Sequence, residues 1–146
     1  MSEAETRAAI VAEARSWLDT PYHHNARVKG VGVDCAQLPA AIYHTVGLIP
    51  HLEPEYSPQW MMHRDAEKYL EWVRPYAREI TREELKPGDM VMWKFGRTYS
   101  HSAIVIEVPT IIHAVNMAGR VEFGDIERDA DLACRPTLYF SLFGRD

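Results

Sequence analysis

Cysteine is scarce in this sequence: only Cys35 and Cys134 occur among 146 residues. A disulfide framework needs more cysteines in a shorter chain, so the fold must rest on a hydrophobic core. Positive charge is also in short supply. Sixteen Lys and Arg stand against twenty-one Asp and Glu, for a net charge of −5. That argues against a nucleic-acid partner, which ordinarily meets a basic face. No apolar run reaches the roughly 18 residues of a membrane span, so no span is expected. The opening MSEAETRAAIVAEARSW lacks the basic start and long apolar stretch of a secretory signal, and Glu3, Glu5 and Glu13 interrupt it. Synthesis in the cytoplasm is therefore expected, with some other carrier needed for any action outside. Neither GxGxxG nor GxxxxGK[ST] is present, which leaves a nucleotide site unsupported. Neither CxxC nor HExxH is present. His23 and His24 lie near Asp34 and Cys35 without zinc spacing, so no metal is expected.

What remains is the composition of an ordinary core-bearing domain, with 47% hydrophobic and 25% charged residues. The length suits one domain over 1–146. Residues 2–17 read as a helix, with Ser2 and Glu5 at capping-box spacing and an apolar stripe through Ile10, Ala14 and Trp17. Asp19 to Pro21 break it, and residues 22–34 read as a loop punctuated by Gly30 and Gly32. A second helix is predicted over about 35–44. Pro39 fits it only in the first turn, which places the helix start near Asp34 and Cys35. A third helix is predicted over about 58–73, capped by Ser57 and Pro58. The chain then changes character. After the turn LKPGD come the strand-like runs MVMWKF, HSAIVIEV, TIIHAV, RVEF and TLYFSLF, with no helix-length gap between 88 and 123. Helices first and closely spaced strands afterwards predict an α+β fold with an antiparallel sheet of about five strands.

Three residues could carry chemistry together. A thiol attacks as its thiolate, and a helix N-terminus favours that form through its partial positive charge and free N–H groups. Those N–H groups can also hold an oxyanion. Cys35 is placed to use both, although a small buried residue at a helix start looks the same. His101 opens the apolar run HSAIVIEV, where it can aim an imidazole across a cleft or simply face water at a strand end. His113 lies twelve residues later, on the expected neighbouring strand, where it can orient the first imidazole or serve only the sheet. Tyr22 can donate to an oxyanion or to substrate, and can equally be a loop residue after Pro21. Asp34 reads as a helix cap rather than a catalytic group.

The blocks TPYHHNARVKGVGVDCAQL, LKPGDMVMWKFGRTYSHSAIVI and IIHA, in that order, resemble the NlpC/p60-type cell-wall peptidases, a papain-like family. The resemblance runs from about Trp17 to Val115. It implies a papain-like domain with N-terminal helices on the sheet and the nucleophile at a helix N-terminus. It further implies Cys35 as nucleophile, His101 as general base, His113 as its orienting partner, and Tyr22 lining the site; His24 and Asp34 are expected at the substrate and oxyanion site beside it, because their loop leads directly into the nucleophile. Implied too are a peptidoglycan stem peptide as substrate, cleavage next to D-γ-glutamate through an acyl-enzyme, and no cofactor. Ala36 and Gln37 stand where many members carry a hydroxyl residue and glycine. That departure, with the absence of a wall-binding repeat, resembles the phage-tail or prophage branch, which implies tail proteins as partners and delivery to the wall in a virion or tail particle. An exported amidase effector is a second enzyme reading. A tail-assembly or binding module with little hydrolysis is a reading of another class. A permuted acyltransferase would need the histidine before the cysteine, opposite to the order here.

Overall fold

The computed structural model describes residues 1–52 and 68–144. Helix α1 spans Glu3–Arg15, and its capping box is complete, with Ser2 Oγ accepting from Glu5 N–H and Glu5 Oε1 accepting from Ser2 N–H. A short ribbon follows, β1 (Arg27–Val28) against β2 (Gly32–Val33). Helix α2 spans Gln37–Thr45, two residues later than the expected start, with Pro39 in its first turn as its missing N–H requires. Helix α3 is described over Lys68–Val73. The cap expected at Ser57 and Pro58 lies outside the described residues.

Six antiparallel strands then form the sheet: β3 (Arg78–Ile80), β4 (Met90–Phe95), β5 (Thr98–Glu107), β6 (Thr110–Val115), β7 (Arg120–Asp125) and β8 (Thr137–Ser141). Their order in space is β3-β8-β4-β5-β6-β7. The sixth strand is β3, whose sequence Arg-Glu-Ile carries one apolar residue and no alternation, so only its pairing with β8 reveals it. A helix α4 (Ala130–Ala133) precedes β8. Among the described residues no helix is long and apolar enough to cross a membrane.

Alternation along the strands splits the sheet into two faces. Met90, Met92, Ile104, Ile106, Ile112, Ala114 and Phe140 bury against α1, α2 and α3. Val91, Trp93, Ala103, Val105 and Ile111 face the other way, under Leu85, Ile126 and Leu132. The PGD turn is anchored by Asp89, which is fully buried and accepts from Arg7 Nη1 at 2.8 Å and from Lys86 N–H at 2.9 Å. Gly88 there has φ of 91°, a conformation that favours glycine. Turn, α1 and the start of β4 are thereby locked in one register.

Candidate active site

Cys35 sits just ahead of α2, and Asp34 makes the entry possible. Asp34 is fully buried, and its Oδ1 accepts from the N–H of Ala36 at 3.1 Å and of Gln37 at 2.8 Å. Its Oδ2 accepts from Asn25 N–H, which ties the preceding loop to the same cap. The helical geometry begins here, since Leu38 N–H already bonds Asp34 O at 3.1 Å. One consequence of Pro39 is a carbonyl at Cys35 that no helical N–H can reach. Ser102 on β5 fills that role, donating to Cys35 O at 2.7 Å, and the buried Tyr69 hydroxyl lies 2.6 Å from Ser102 Oγ. Because the Ser102 proton is committed to Cys35, Tyr69 is the donor in the second bond. This Tyr69–Ser102–Cys35 chain fixes the cysteine backbone against the sheet. Sequence reasoning did not find it, because its members are brought together only by folding.

The thiol points at β5, donating to Ser100 O at 3.4 Å, one residue before His101. His101 lies inside β5, opposite Trp93, and not at the strand's start as expected. The strand is longer than the apolar run because Thr98 and Tyr99 still pair with Phe95 and Lys94 beyond a bulge. Val105 pairs with Ile111, so His101 and His113, each an even step away, project from one face. Their rings meet there, with His101 Nε2 2.8 Å from His113 Nδ1. Trp93 and Phe95 flank His101, with ring centroids at 5.6 and 5.4 Å.

Tyr22, His24, Cys35, His101 and His113 line one cavity of about 540 Å³. Five of the six predicted site residues thus share an opening. The sixth, Asp34, lies buried behind it as a cap, with His24 Nδ1 3.9 Å from its Oδ2. A second hollow of about 60 Å³, between α2 and α3, contains neither an imidazole nor a thiol. Among the described residues no cluster of three His, Cys, Asp or Glu is arranged to hold a metal. Both cysteines are free, Cys35 buried and Cys134 exposed.

The electrostatics differ from the sequence expectation of an acidified thiol. Burial, with the neighbouring Asp34 carboxylate, pushes the Cys35 thiol well above its ordinary value. The Tyr22 hydroxyl and the amides of Cys35 and Ala36 pull the other way and do not prevail. Burial lowers His101 to about 3, helped by His113 and Arg135, and lowers His113 to about 4 against the pull of Asp129. The resting state is a neutral thiol beside neutral imidazoles.

The wall of the cavity also contains Glu122, Asp129 and Asp131. None was singled out in the sequence. One signal was available: Gly124 interrupts the strand RVEFGD, and a glycine inside a strand marks a close approach. A Cβ there would lie 2.6 Å from His113 Nε2 and 2.9 Å from Asp129 Oδ2.

The NlpC/P60 family pattern matches residues 19–130. Solved structures share the fold. The NlpC/p60 domain of the peptidoglycan hydrolase SagA matches with a TM-score of 0.60 and 21% identity, over 90% of this chain and 96% of that one. The peptidoglycan hydrolase RipB of Mycobacterium tuberculosis matches with a TM-score of 0.67 and 18% identity, over 99% of this chain and 70% of that one. A lipoprotein-like NLP/P60 protein of Staphylococcus aureus matches with a TM-score of 0.70 and 20% identity, over 99% of this chain but only 43% of its own. A search of curated proteins finds no significant match.

Proposed function

The chain belongs to the NlpC/P60 family, and from that premise we propose that it is a cysteine peptidase cutting amide bonds of peptidoglycan stem peptides, next to D-γ-glutamate. The observation that carries this reading is the His101–His113 contact at 2.8 Å in the cavity that Cys35 also lines. His113 occupies Nε2 of His101, and among the described residues nothing bonds Nδ1. Nδ1 is then the nitrogen left to take the Cys35 proton.

In the proposed reaction the Cys35 proton moves to His101 Nδ1 as sulfur bonds the substrate carbonyl carbon. The oxyanion is held by the Cys35 N–H, which donates to no other group among the described residues, and by the Tyr22 hydroxyl. His101 returns the proton to the amine as the C–N bond breaks, leaving a thioester. Water then attacks the thioester, with His101 as base, releasing the acid and the thiol. Delivery in a phage tail or prophage particle is the further part of this proposal, supported by Ala36 and Gln37 after the cysteine. Neighbouring tail genes would favour it, and a neighbouring immunity gene would favour an exported effector.

The test is to incubate the protein and its Cys35→Ala variant with defined muropeptides and weigh the products. Cleavage by the unsubstituted protein alone supports the thiol mechanism, and product masses name the bond. If neither cleaves, and Cys35 alkylates no faster than a free thiol, the hydrolase reading fails.

A further inference from the structure

The His101–His113 bond can be made with the proton on either nitrogen, and only one choice leaves a working base. If His101 donates through Nε2, its Nδ1 carries the lone pair that can accept the Cys35 proton. If His113 donates through Nδ1, neutral His101 carries its proton on Nδ1 and cannot act. The outcome depends on what surrounds the far nitrogen of His113, since the proton on one imidazole nitrogen is set by the partner of the other.

That far nitrogen is Nε2, and the Asp129 carboxylate lies across a gap from it. His113 Nε2 and Asp129 Oδ2 lie 2.6 and 2.9 Å from the same point, the place where Gly124 lacks a Cβ. Gly124 of β7 pairs with Ile111 of β6, so the gap opens on the face that carries His113. Asp129 is held by the Asp125 N–H, which Oδ2 accepts at 3.0 Å. Other charged groups surround the pair. Glu122 on β7 is opposite His113 in register, and its Oε1 lies 3.7 Å from Arg120 Nε. Asp131 of α4 lines the cavity, and Arg135 beyond α4 acts on His101.

We propose that Asp129 is a positioning residue which, across the gap left by Gly124, holds the proton of His113 on Nε2 and thereby leaves His101 Nδ1 bare toward Cys35. The carboxylate favours N–H at the nitrogen nearest it, His113 Nδ1 becomes the acceptor, and His101 Nε2 becomes the donor. This rests on the cysteine-peptidase reading for its consequence, but the proton positions can be observed without any substrate. As the reaction creates an imidazolium on His101, the same negative charge two rings away stabilises it. The line of groups is Cys35, His101, His113, Asp129, with no atom exchanged beyond the thiol proton.

The test uses Asp129→Asn, which keeps an acceptor for the Asp125 N–H and a good residue ahead of α4 while removing the charge. In the unsubstituted protein, ¹⁵N NMR of the imidazoles should show His113 protonated on Nε2 and His101 protonated on Nε2. In Asp129→Asn the His113 proton should divide between its two nitrogens. Turnover and Cys35 alkylation should fall by about 10- to 100-fold, the range for removing a partner that orients a reacting group. KM should hold, and the alkaline limb of the pH profile should move to lower pH. Gly124→Ala, whose backbone angle suits alanine, should act alike by wedging between the two groups. Glu122→Gln should leave the tautomers unchanged. A proton on His113 Nδ1 in the unsubstituted protein overturns the proposal, as does Asp129→Asn with unchanged tautomers and alkylation rate. If the unsubstituted protein neither cleaves nor alkylates quickly, the hydrolase reading fails, and the tautomers alone still decide for or against Asp129.

Discussion

At Cys35 four influences meet on one sulfur, and their balance sets the chemistry. Burial and Asp34 disfavour the thiolate, whereas Tyr22 and the helix-start amides favour it. Burial is the largest, so the resting sulfur is protonated, and each favouring contact counts toward the transition state rather than the ground state. Tyr22→Phe removes a hydroxyl that favours the thiolate without emptying the ring's volume. Its alkylation rate should fall by about tenfold, equivalent to the ~1.4 kcal/mol of one charge-assisted hydrogen bond. A rate unchanged across pH would remove Tyr22 from the account. His101→Ala and His113→Ala should separate likewise. The first deletes the proton acceptor and should leave no measurable turnover. The second leaves an acceptor whose orientation is lost, so a residual rate should persist and a substitution such as His113→Asn should recover part of it. Equal losses in the two variants would contradict the division of roles.

At the scale of elements, the site is a junction of one helix start and two strands. Ser102 joins them, because it occupies the carbonyl that Pro39 leaves bare. Ser102→Ala should cost about 1–3 kcal/mol, since it strands the buried Cys35 carbonyl. Urea unfolding would read that loss, and a cost near zero would mean the chain is ornamental. Gln37 joins α2 to the loop before the cysteine. It is buried, donates to Asn25 Oδ1 at 3.1 Å and accepts from Arg27 Nε at 2.7 Å. Gln37 is thus a clamp on the loop that leads into the cysteine. Gln37→Gly should free that loop and raise KM more than it lowers kcat.

The same elements show what a sequence can reveal. α1 was legible from Ser2 and Glu5, and the entry to α2 from Pro39, because capping and proline rules act over a few residues. The strand runs from β4 to β7 were legible from apolar content and short spacing. β3 was not, since its place is set by β8, some sixty residues away in the chain. His101 was placed at a strand end because the apolar run begins there, whereas pairing with β4 begins earlier. The Ser102 chain was illegible for the same reason as β3, since it acts on a residue distant in sequence, and Asp129 left only the hint of Gly124 inside its strand.

For the whole molecule, burying two imidazoles in neutral form links the site to global stability. His101 and His113 titrate at about 3 and about 4 when folded, against an ordinary value of 6.5. Above 6.5 both states are neutral and the pair has no effect on the pH dependence. As pH falls below 6.5 the unfolded chain takes up protons that the folded chain refuses, so unfolding becomes easier. The slope is up to about 1.4 kcal/mol per pH unit for each imidazole, reduced for His101 by its partial exposure to the cavity. Glu3, Glu5 and Glu84 are all held below 4.5 by their hydrogen bonds, so their contributions are lost only further down in pH. The window from about 4.5 to 6.5 therefore singles out imidazoles. Unfolding free energy measured by urea across it should decline with acidity, and His113→Gln should flatten the decline by close to one proton. The Cys35→Ala protein should keep the full slope, because its imidazoles remain buried. If His113→Gln leaves the slope unchanged, the folded protein already carries a charged His113, and the neutral resting pair on which the proton-transfer scheme depends is wrong.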